Sequence, residues 1–200
     1  MTKFLSLIVV LLFSFNANDV IDTSDSLVVQ ISQEERELYE LIMEYRDLKG
    51  LERIPLSSSL TFVAQTHCKD LVENKPDKNQ RCNAHSWSSE GNWTPCCYTA
   101  DHRQAECMWF KPRELTSYEG VGYEIAVGVI DDSNPDYRIS PEEALKSWQG
   151  SFSHNEVVIN KGTWKNKEWK AIGVGIYKGV STVWFGHEID EAGSPVLSRD

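Results

Sequence analysis

The sequence is poor in positive charge. Its 20 Lys and Arg residues stand against 30 Asp and Glu residues, which gives a formal net charge of -10. Nucleic acids and anionic membrane surfaces are bound largely through clustered Lys and Arg, and no basic stripe is evident. We therefore expect no nucleic-acid partner.

Long hydrophobic runs are also nearly absent. A single apolar run, from Phe4 to Phe15, follows Met1-Thr2-Lys3. About a dozen residues are too few to cross a bilayer as a helix, whereas a basic residue before a short apolar run is typical of a secretory signal peptide. We predict a signal peptide over residues 1–17, no transmembrane segment after its cleavage, and a secreted or periplasmic protein.

Cysteine is infrequent and odd in number. Four of the five cysteines lie between residues 82 and 107, and Cys68 stands apart in a segment with helical periodicity. In a secreted chain such cysteines favour disulfides, so we predict that Cys68 is a free, buried thiol. The disulfide candidates are Cys82, Cys96, Cys97 and Cys107. A structural zinc site that combines these four with His102 is the alternative, but it lacks the usual Cys-x-x-Cys spacing.

Capping signals predict three long helices. Ser32 with Glu35 forms a capping box, Ser57 or Ser58 precedes a second apolar stripe, and Ser140 with Glu143 forms another box. The second stripe places His67 on an apolar face, where a histidine with locally satisfied nitrogens is favoured over a ligand.

Strand signals fall in separate stretches of the sequence. Residues 120–130 predict a strand, and 169–189 predict a hairpin that turns at Gly179 and Val180. Helices and strands are thus segregated, which favours an α+β layered domain. We place this domain at residues 32–189, between a flexible lead-in over 18–31 and an exposed tail over 190–200.

The stretch "SPEEALKSWQGSFSHNEVVIN", residues 140–160, ends its helix near Gly150 and brings His154 to a bend between two apolar elements. Such a histidine either points into a cleft or anchors the turn through a backbone hydrogen bond. Ser151, His154 and Glu124 also suggest a hydrolytic triad. No Gly-x-Ser-x-Gly elbow frames the serine, so a helix C-terminal polar residue is the favoured interpretation of Ser151.

Five segments, in this order, resemble the CAP superfamily of cysteine-rich secretory proteins, insect venom antigens and plant pathogenesis-related proteins, in its bacterial-type form. They are "PLSSSLTFVAQTHCKDL", "AHSW", "GYEIA", "ALKSWQGSFSH" and "AIGVGIYKG", and the match runs from about Glu34 to about Ile189. Residues 91–112 look like a cysteine-rich insertion. The resemblance implies a three-layer α-β-α sandwich with an open cleft.

In that family two histidines and two glutamates line the cleft, which binds divalent metal, often zinc, in some members. The resemblance assigns His85 and His154 as the two histidines and Ser151 to the place of the second glutamate. In strict register Tyr123 takes the place of the first glutamate, while a β-bulge would bring Glu124 to the cleft instead. With Glu124, the two imidazoles form a three-ligand zinc site.

The expected function is a non-enzymatic binding domain whose cleft takes a small ligand, a lipid or an extracellular protein, with zinc as a modulator. Some family members bind sterols or fatty acids. A metal-dependent hydrolase or protease that uses the same cleft is the alternative. Of the seven tryptophans, Trp148 and Trp184 are expected in the core, whereas Trp87, Trp93 and Trp109 either rim the cleft or pack against the disulfides.

Overall fold

The computed structural model describes residues 28–78, 81–128 and 133–199. The predicted signal peptide and most of the predicted lead-in lie outside them. The elements, in chain order, are β1 (Gln30–Ile31), α1 (Gln33–Asp47), α2 (Ser58–Asn74), α3 (Ala105–Trp109), α4 (Lys111–Leu115), β2 (Gly122–Gly128), α5 (Pro141–Gly150), α6 (Phe152–Val158), a 3-10 turn (Gly162–Trp164), β3 (Ala171–Tyr177), β4 (Val180–Gly186) and β5 (Val196–Leu197). In this part of the chain, no helix combines the length and apolar character that crossing a membrane requires.

The three long helices begin where the capping signals place them. Ser32 and Ser140 each form a complete capping box with the glutamate three residues later. Of the two candidates for α2, Ser57 is the cap, because its hydroxyl accepts from the backbone N–H of Leu60 at 3.0 Å. Each cap satisfies backbone donors that have no partner within the helix.

The central sheet has the order β2-β4-β3, with both pairs antiparallel. Successive side chains of a strand point to opposite faces, and the two faces of β3 are covered differently. Gly173 and Gly175 lie against the backbone of α2, whereas Ile172 and Val174 join the core that contains residues of α1 and α5. The expected α+β sandwich, with helices on both faces of the sheet, is confirmed.

The hairpin prediction needs a small correction at its turn. Tyr177 and Val180 form the last pair of the β3–β4 ladder, so Lys178 and Gly179 make the two-residue connection and Val180 begins β4. Lys178 has a positive φ of 52°, the left-handed conformation that two-residue hairpin turns require.

The cysteine-rich insertion is part of the core. Disulfides join Cys82 to Cys97 and Cys96 to Cys107, so all four predicted cysteines are paired and the zinc alternative does not apply. Its buried side chains form a second apolar cluster with α2 and Trp184. Because the segment has no regular hydrophobic period, its sequence gave no sign of this burial.

Cys68 is free and fully buried, as predicted. Burial raises the pKa of its thiol well above the ordinary value, and the thiolate is the reactive form. We expect no reaction of the oxidised native protein with Ellman's reagent, and one thiol per chain after denaturation in guanidinium chloride. Three or five thiols on denaturation would contradict the disulfide pattern.

The boundaries predicted for the domain are too narrow at both ends. Ile31 is fully buried, although it belongs to the predicted lead-in, and β1 pairs in parallel with β5 inside the predicted tail. Asp190 also accepts from the hydroxyls of Ser57 and Ser59 at 2.6 and 2.8 Å. The side chains of β5 are exposed, but hydrogen bonds hold the segment against the domain.

Candidate functional site

Glu124 and Tyr123 point to opposite faces of β2, so one of them faces the predicted cleft and the other does not. Glu124 is 7% exposed and contacts His67 of α2 and His85. Tyr123 packs on the other face, against Trp109, Trp164 and Trp169. The structure therefore brings Glu124, and not Tyr123, to His85. All seven residues of β2 pair in unbroken register with β4, so no bulge is involved.

Both oxygens of the Glu124 carboxylate are bound by histidines. Oε1 lies 2.5 Å from Nδ1 of His67, and Oε2 lies 2.8 Å from Nδ1 of His85. The second ring nitrogen of His67, Nε2, donates to the carbonyl oxygen of Ser86 at 2.9 Å, because a carbonyl can only accept. His67 is also stacked on Trp87, with ring centroids 4.3 Å apart.

The contacts of His67 make it a cation paired with the Glu124 carboxylate. Burial disfavours the charged form of both groups, but their mutual attraction and hydrogen bond outweigh it. The pKa of His67 is raised and that of Glu124 is lowered, with a further contribution from His85. A buried charge is tolerated when it is paired and hydrogen-bonded in this way.

The geometry leaves one nitrogen of His85 available. Its Nδ1 donates to the ionised carboxylate, its Nε2 has no hydrogen-bond partner among the described residues, and the side chain is 19% exposed. A carboxylate bound to one imidazole nitrogen fixes the orientation of the ring. Glu124 thus holds His85 ready for a ligand.

His154 lies on α6, and not at an irregular bend as the sequence suggested. Burial, followed by repulsion from His85, lowers its pKa, while the Glu124 charge opposes this. These effects place His154 in the same electrostatic environment as the other two residues and keep its imidazole neutral. Ser151 ends α5 and precedes α6. No hydrogen bond between Ser151 and His154 is present among the described residues, and the Ser151 hydroxyl makes no capping hydrogen bond to α6.

The disulfide-bonded segment forms a wall beside His85. Tyr98, which lies between the two disulfides, meets the His85 ring edge to face with centroids 5.1 Å apart. Its hydroxyl is 2.9 Å from Nδ1 of the exposed His102, and its backbone N–H donates to the hydroxyl of Ser86 at 2.9 Å. The insertion therefore holds one side of the site.

The predicted three-ligand zinc site does not fit these contacts. Glu124 has both oxygens occupied by imidazole donors, so only His85 and His154 are left as ligands, whereas zinc sites use three or four protein ligands. In the ranges that the structure describes, no group of three or more His, Cys, Asp or Glu side chains is arranged to hold a metal ion.

Comparison with known proteins identifies the fold. No family model and no curated protein matches the sequence. An extracellular protein containing an SCP domain from Bacillus anthracis str. Ames has a similar structure, with a TM-score of 0.52 and 15% identity over 78% of this chain. The chain has the SCP fold. It spans 40% of the length of that neighbour, and at this identity the likeness shows the fold alone.

A cysteine-rich secretory protein from Staphylococcus aureus subsp. aureus Mu50 also matches, with 15% identity, 78% coverage of this chain, 39% coverage of that chain and a TM-score of 0.46. SCP is the domain of the CAP superfamily, so the fold implied by the five sequence segments is confirmed. At 15% identity, these neighbours do not indicate which residues of this chain form the site.

Sequence reasoning missed the role of His67 in the SCP-fold site. His67 lies 57 residues before Glu124, and its local pattern is that of a core helix. The prediction that its nitrogens are satisfied internally describes the structure correctly, but nothing in the sequence indicated that one partner is the carboxylate of the site. A histidine on a fully apolar stripe does indicate that a buried acceptor lies opposite.

Proposed function

We propose that the protein is a secreted, non-enzymatic binding domain with the SCP fold, and that His85 and His154 contact its ligand. The observation that carries the proposal is that both Glu124 oxygens are occupied by histidines. The carboxylate is therefore used to orient His85. What the site offers a ligand is a pair of imidazoles, which suit hydrogen bonding to a small molecule, a lipid headgroup or a side chain of a partner protein.

The contacts favour binding over hydrolysis. A hydrolase of the predicted kind needs Glu124 as a free base or metal ligand, or Ser151 as a nucleophile held by a histidine. Both Glu124 oxygens are bound by histidines, and Ser151, which lies between α5 and α6, is not hydrogen-bonded to a histidine in the described part of the chain. Two disulfides support secretion, because such bonds persist in oxidising compartments.

Among the described residues, a divalent metal would meet two protein ligands in this site, His85 and His154. We therefore infer that zinc modulates ligand binding weakly and is not a firmly held cofactor. In hydrolases that hold zinc through three protein ligands, the metal acts as a Lewis acid. The described residues of this site provide two such ligands.

Zinc calorimetry tests the proposal. We expect the oxidised protein to bind zinc more weakly than about 1 μM, which corresponds to about -8 kcal/mol, and the double variant His85→Ala with His154→Ala to lose this binding. His102→Ala is the matched control, because it removes an exposed histidine from the disulfide segment. Histidine side-chain NMR spectra of the ¹⁵N-labelled protein, recorded with zinc and with a long-chain fatty acid, would show whether each probe perturbs His85 and His154.

Binding of zinc far tighter than 1 μM, together with zinc-dependent cleavage of casein or an ester that His85→Ala abolishes, would establish the hydrolase instead. Unperturbed His85 and His154 signals with both probes, in a folded protein, would contradict metal modulation and a fatty-acid ligand. They would leave a partner protein or another small molecule as the ligand to be sought.

A further inference from the structure

The segment from residue 161 to 170, "KGTWKNKEWK", concentrates positive charge in an acidic protein. It contains four of the 20 basic residues and one acidic residue, which gives a local charge of +3 in a chain of -10. Lys161, Lys165 and Lys167 are exposed. In the part of the chain that the structure describes, none of the four lysines is in an ion pair with a carboxylate, so their charges are available.

Aromatic rings adjoin these lysines. Tyr123 lies at the centre of a group of rings, with centroid distances of 5.0 Å to Trp164, 5.3 Å to His187, 5.6 Å to Trp109 and 5.7 Å to Trp169. We call these five residues the aromatic cluster. All except Trp169 are partly exposed, and the ammonium group of Lys167 lies 5.8 Å from the centre of the Tyr123 ring. The cluster and the lysines thus form one surface.

Hydrogen bonds of Arg46 and Asn160 fix the loop that carries Trp164. Arg46 donates through Nη1 to the carbonyl of Val158 at 2.6 Å and to Oδ1 of Asn160 at 2.7 Å. Asn160 in turn donates through Nδ2 to the carbonyl of Lys167 at 2.8 Å. Such bonds fix the loop before a ligand arrives, which lowers the entropy lost on binding.

His187 is held within the aromatic cluster. Its Nδ1 donates to the carbonyl of Glu168 at 2.9 Å, and its ring is stacked on Trp169 with centroids 4.6 Å apart. Its Nε2 is a buried atom, so His187 contributes its ring to the cluster and not a hydrogen bond to a ligand.

We propose that this surface binds an acidic polysaccharide. Aromatic faces pack against the C–H faces of sugar rings, and exposed lysines attract the carboxylates. A local excess of lysine in an acidic protein is complementary to short anionic sugar segments. Four lysines are too few for the extended basic track that binds a nucleic-acid backbone.

The surface is separate from the histidine site. Tyr123 and Glu124 point to opposite faces of β2, and among the described residues no ring contact joins the aromatic cluster to His85 or His154. Polysaccharide binding therefore does not rest on the proposed function, and either can fail alone. The surface would hold the protein on a glycan matrix while the histidine site remains open.

Affinity electrophoresis and calorimetry with polygalacturonate oligosaccharides test the proposal on the oxidised protein. Replacing Lys165 and Lys167 together with alanine is expected to weaken binding about tenfold, and Trp164→Ala is expected to do the same. Lys49→Ala is the matched control, because Lys49 is exposed on a different helix end, over the ring of Tyr45, and we expect it to leave binding unchanged. Binding should also weaken as sodium chloride rises from 50 to 500 mM.

If Trp164→Ala fails to fold, the double variant at Lys165 and Lys167 still tests the proposal, because both side chains are exposed. Equal affinity of the wild type and the lysine double variant would overturn the proposal. So would equal binding of neutral dextran, tighter binding of single-stranded oligothymidylate than of polygalacturonate, or no binding of polygalacturonate at 50 mM salt. Unchanged zinc binding in the lysine variant is expected, since the two sites share no residue.

Discussion

Replacing Glu124 with alanine is expected to lower the free energy of unfolding by about 3–5 kcal/mol, the usual loss when one partner of a buried ion pair is removed. The reason is that His67 is 0% exposed and has Glu124 as its counterion. Without the carboxylate, His67 must either stay charged and unpaired or lose a proton. Guanidinium chloride unfolding of the oxidised protein, followed by tryptophan fluorescence, measures the change.

The pH dependence of stability separates lost charge from lost packing, with Glu124→Gln as the isosteric control. The pKa of Glu124 is lowered from 4.5, so its contribution is full above about pH 4.5 and is lost as the pH falls through the folded value. The pKa of His67 is raised from 6.5, so its contribution is full below about pH 6.5 and is lost as the pH rises through the folded value. The difference between wild type and Glu124→Gln should therefore be largest between about pH 4.5 and 6.5. A difference that does not vary with pH would contradict the ion pair.

The second large effect is expected at Gly173, where a single methyl group has no room. A Cβ there would lie 2.0 Å from the backbone carbon of Leu60 and 2.3 Å from the backbone nitrogen of Thr61. Both atoms belong to the backbone of α2 and cannot rotate away, so the helix must move from the sheet. We expect Gly173→Ala to cost about 3 kcal/mol, at the upper end of overpacking changes, in the same unfolding assay.

Gly150→Ala is the control for this substitution. Gly150 is the last residue of α5, and a Cβ there has no neighbour within 4 Å. Alanine has the higher helix propensity, so the change should raise stability, by up to about 1 kcal/mol. If both variants have the stability of the wild type, α2 does not lie as close to β3 as described.

The predictable parts of the structure are those that depend on neighbouring residues in the chain. Ser32 and Ser140 start helices because the glutamate three residues on completes each capping box. The β3–β4 hairpin follows from two apolar runs with a short turn between them, and the sequence missed only its first paired residue, Val180. These signals act over a few residues, so a single sequence contains them completely.

The candidate site was predictable only in part, because its contacts are distant in the chain. The family resemblance pointed to His85 and His154, but it left Tyr123 and Glu124 as alternatives, since side-chain direction on β2 depends on how β2 pairs with β4. The ion pair between His67 and Glu124 depends on how α2 crosses the sheet. The local sequence pattern contains neither the pairing of β2 with β4 nor the crossing of α2.

The two ends of the domain escaped prediction for a different reason. β1 and β5 have two residues each, too few for any periodicity to show. β1 and β5 pair because the fold brings the two segments together.

That pairing has a consequence for synthesis on the ribosome. Ile31 pairs with Leu197, so β1 must wait for a segment that is made much later. Contacts of such high sequence separation form slowly, because a long loop must close before they contribute. A nascent chain that has emerged from the ribosome only as far as β4 can complete α1, α2 and the central sheet, but β1 has no partner until β5 has emerged as well.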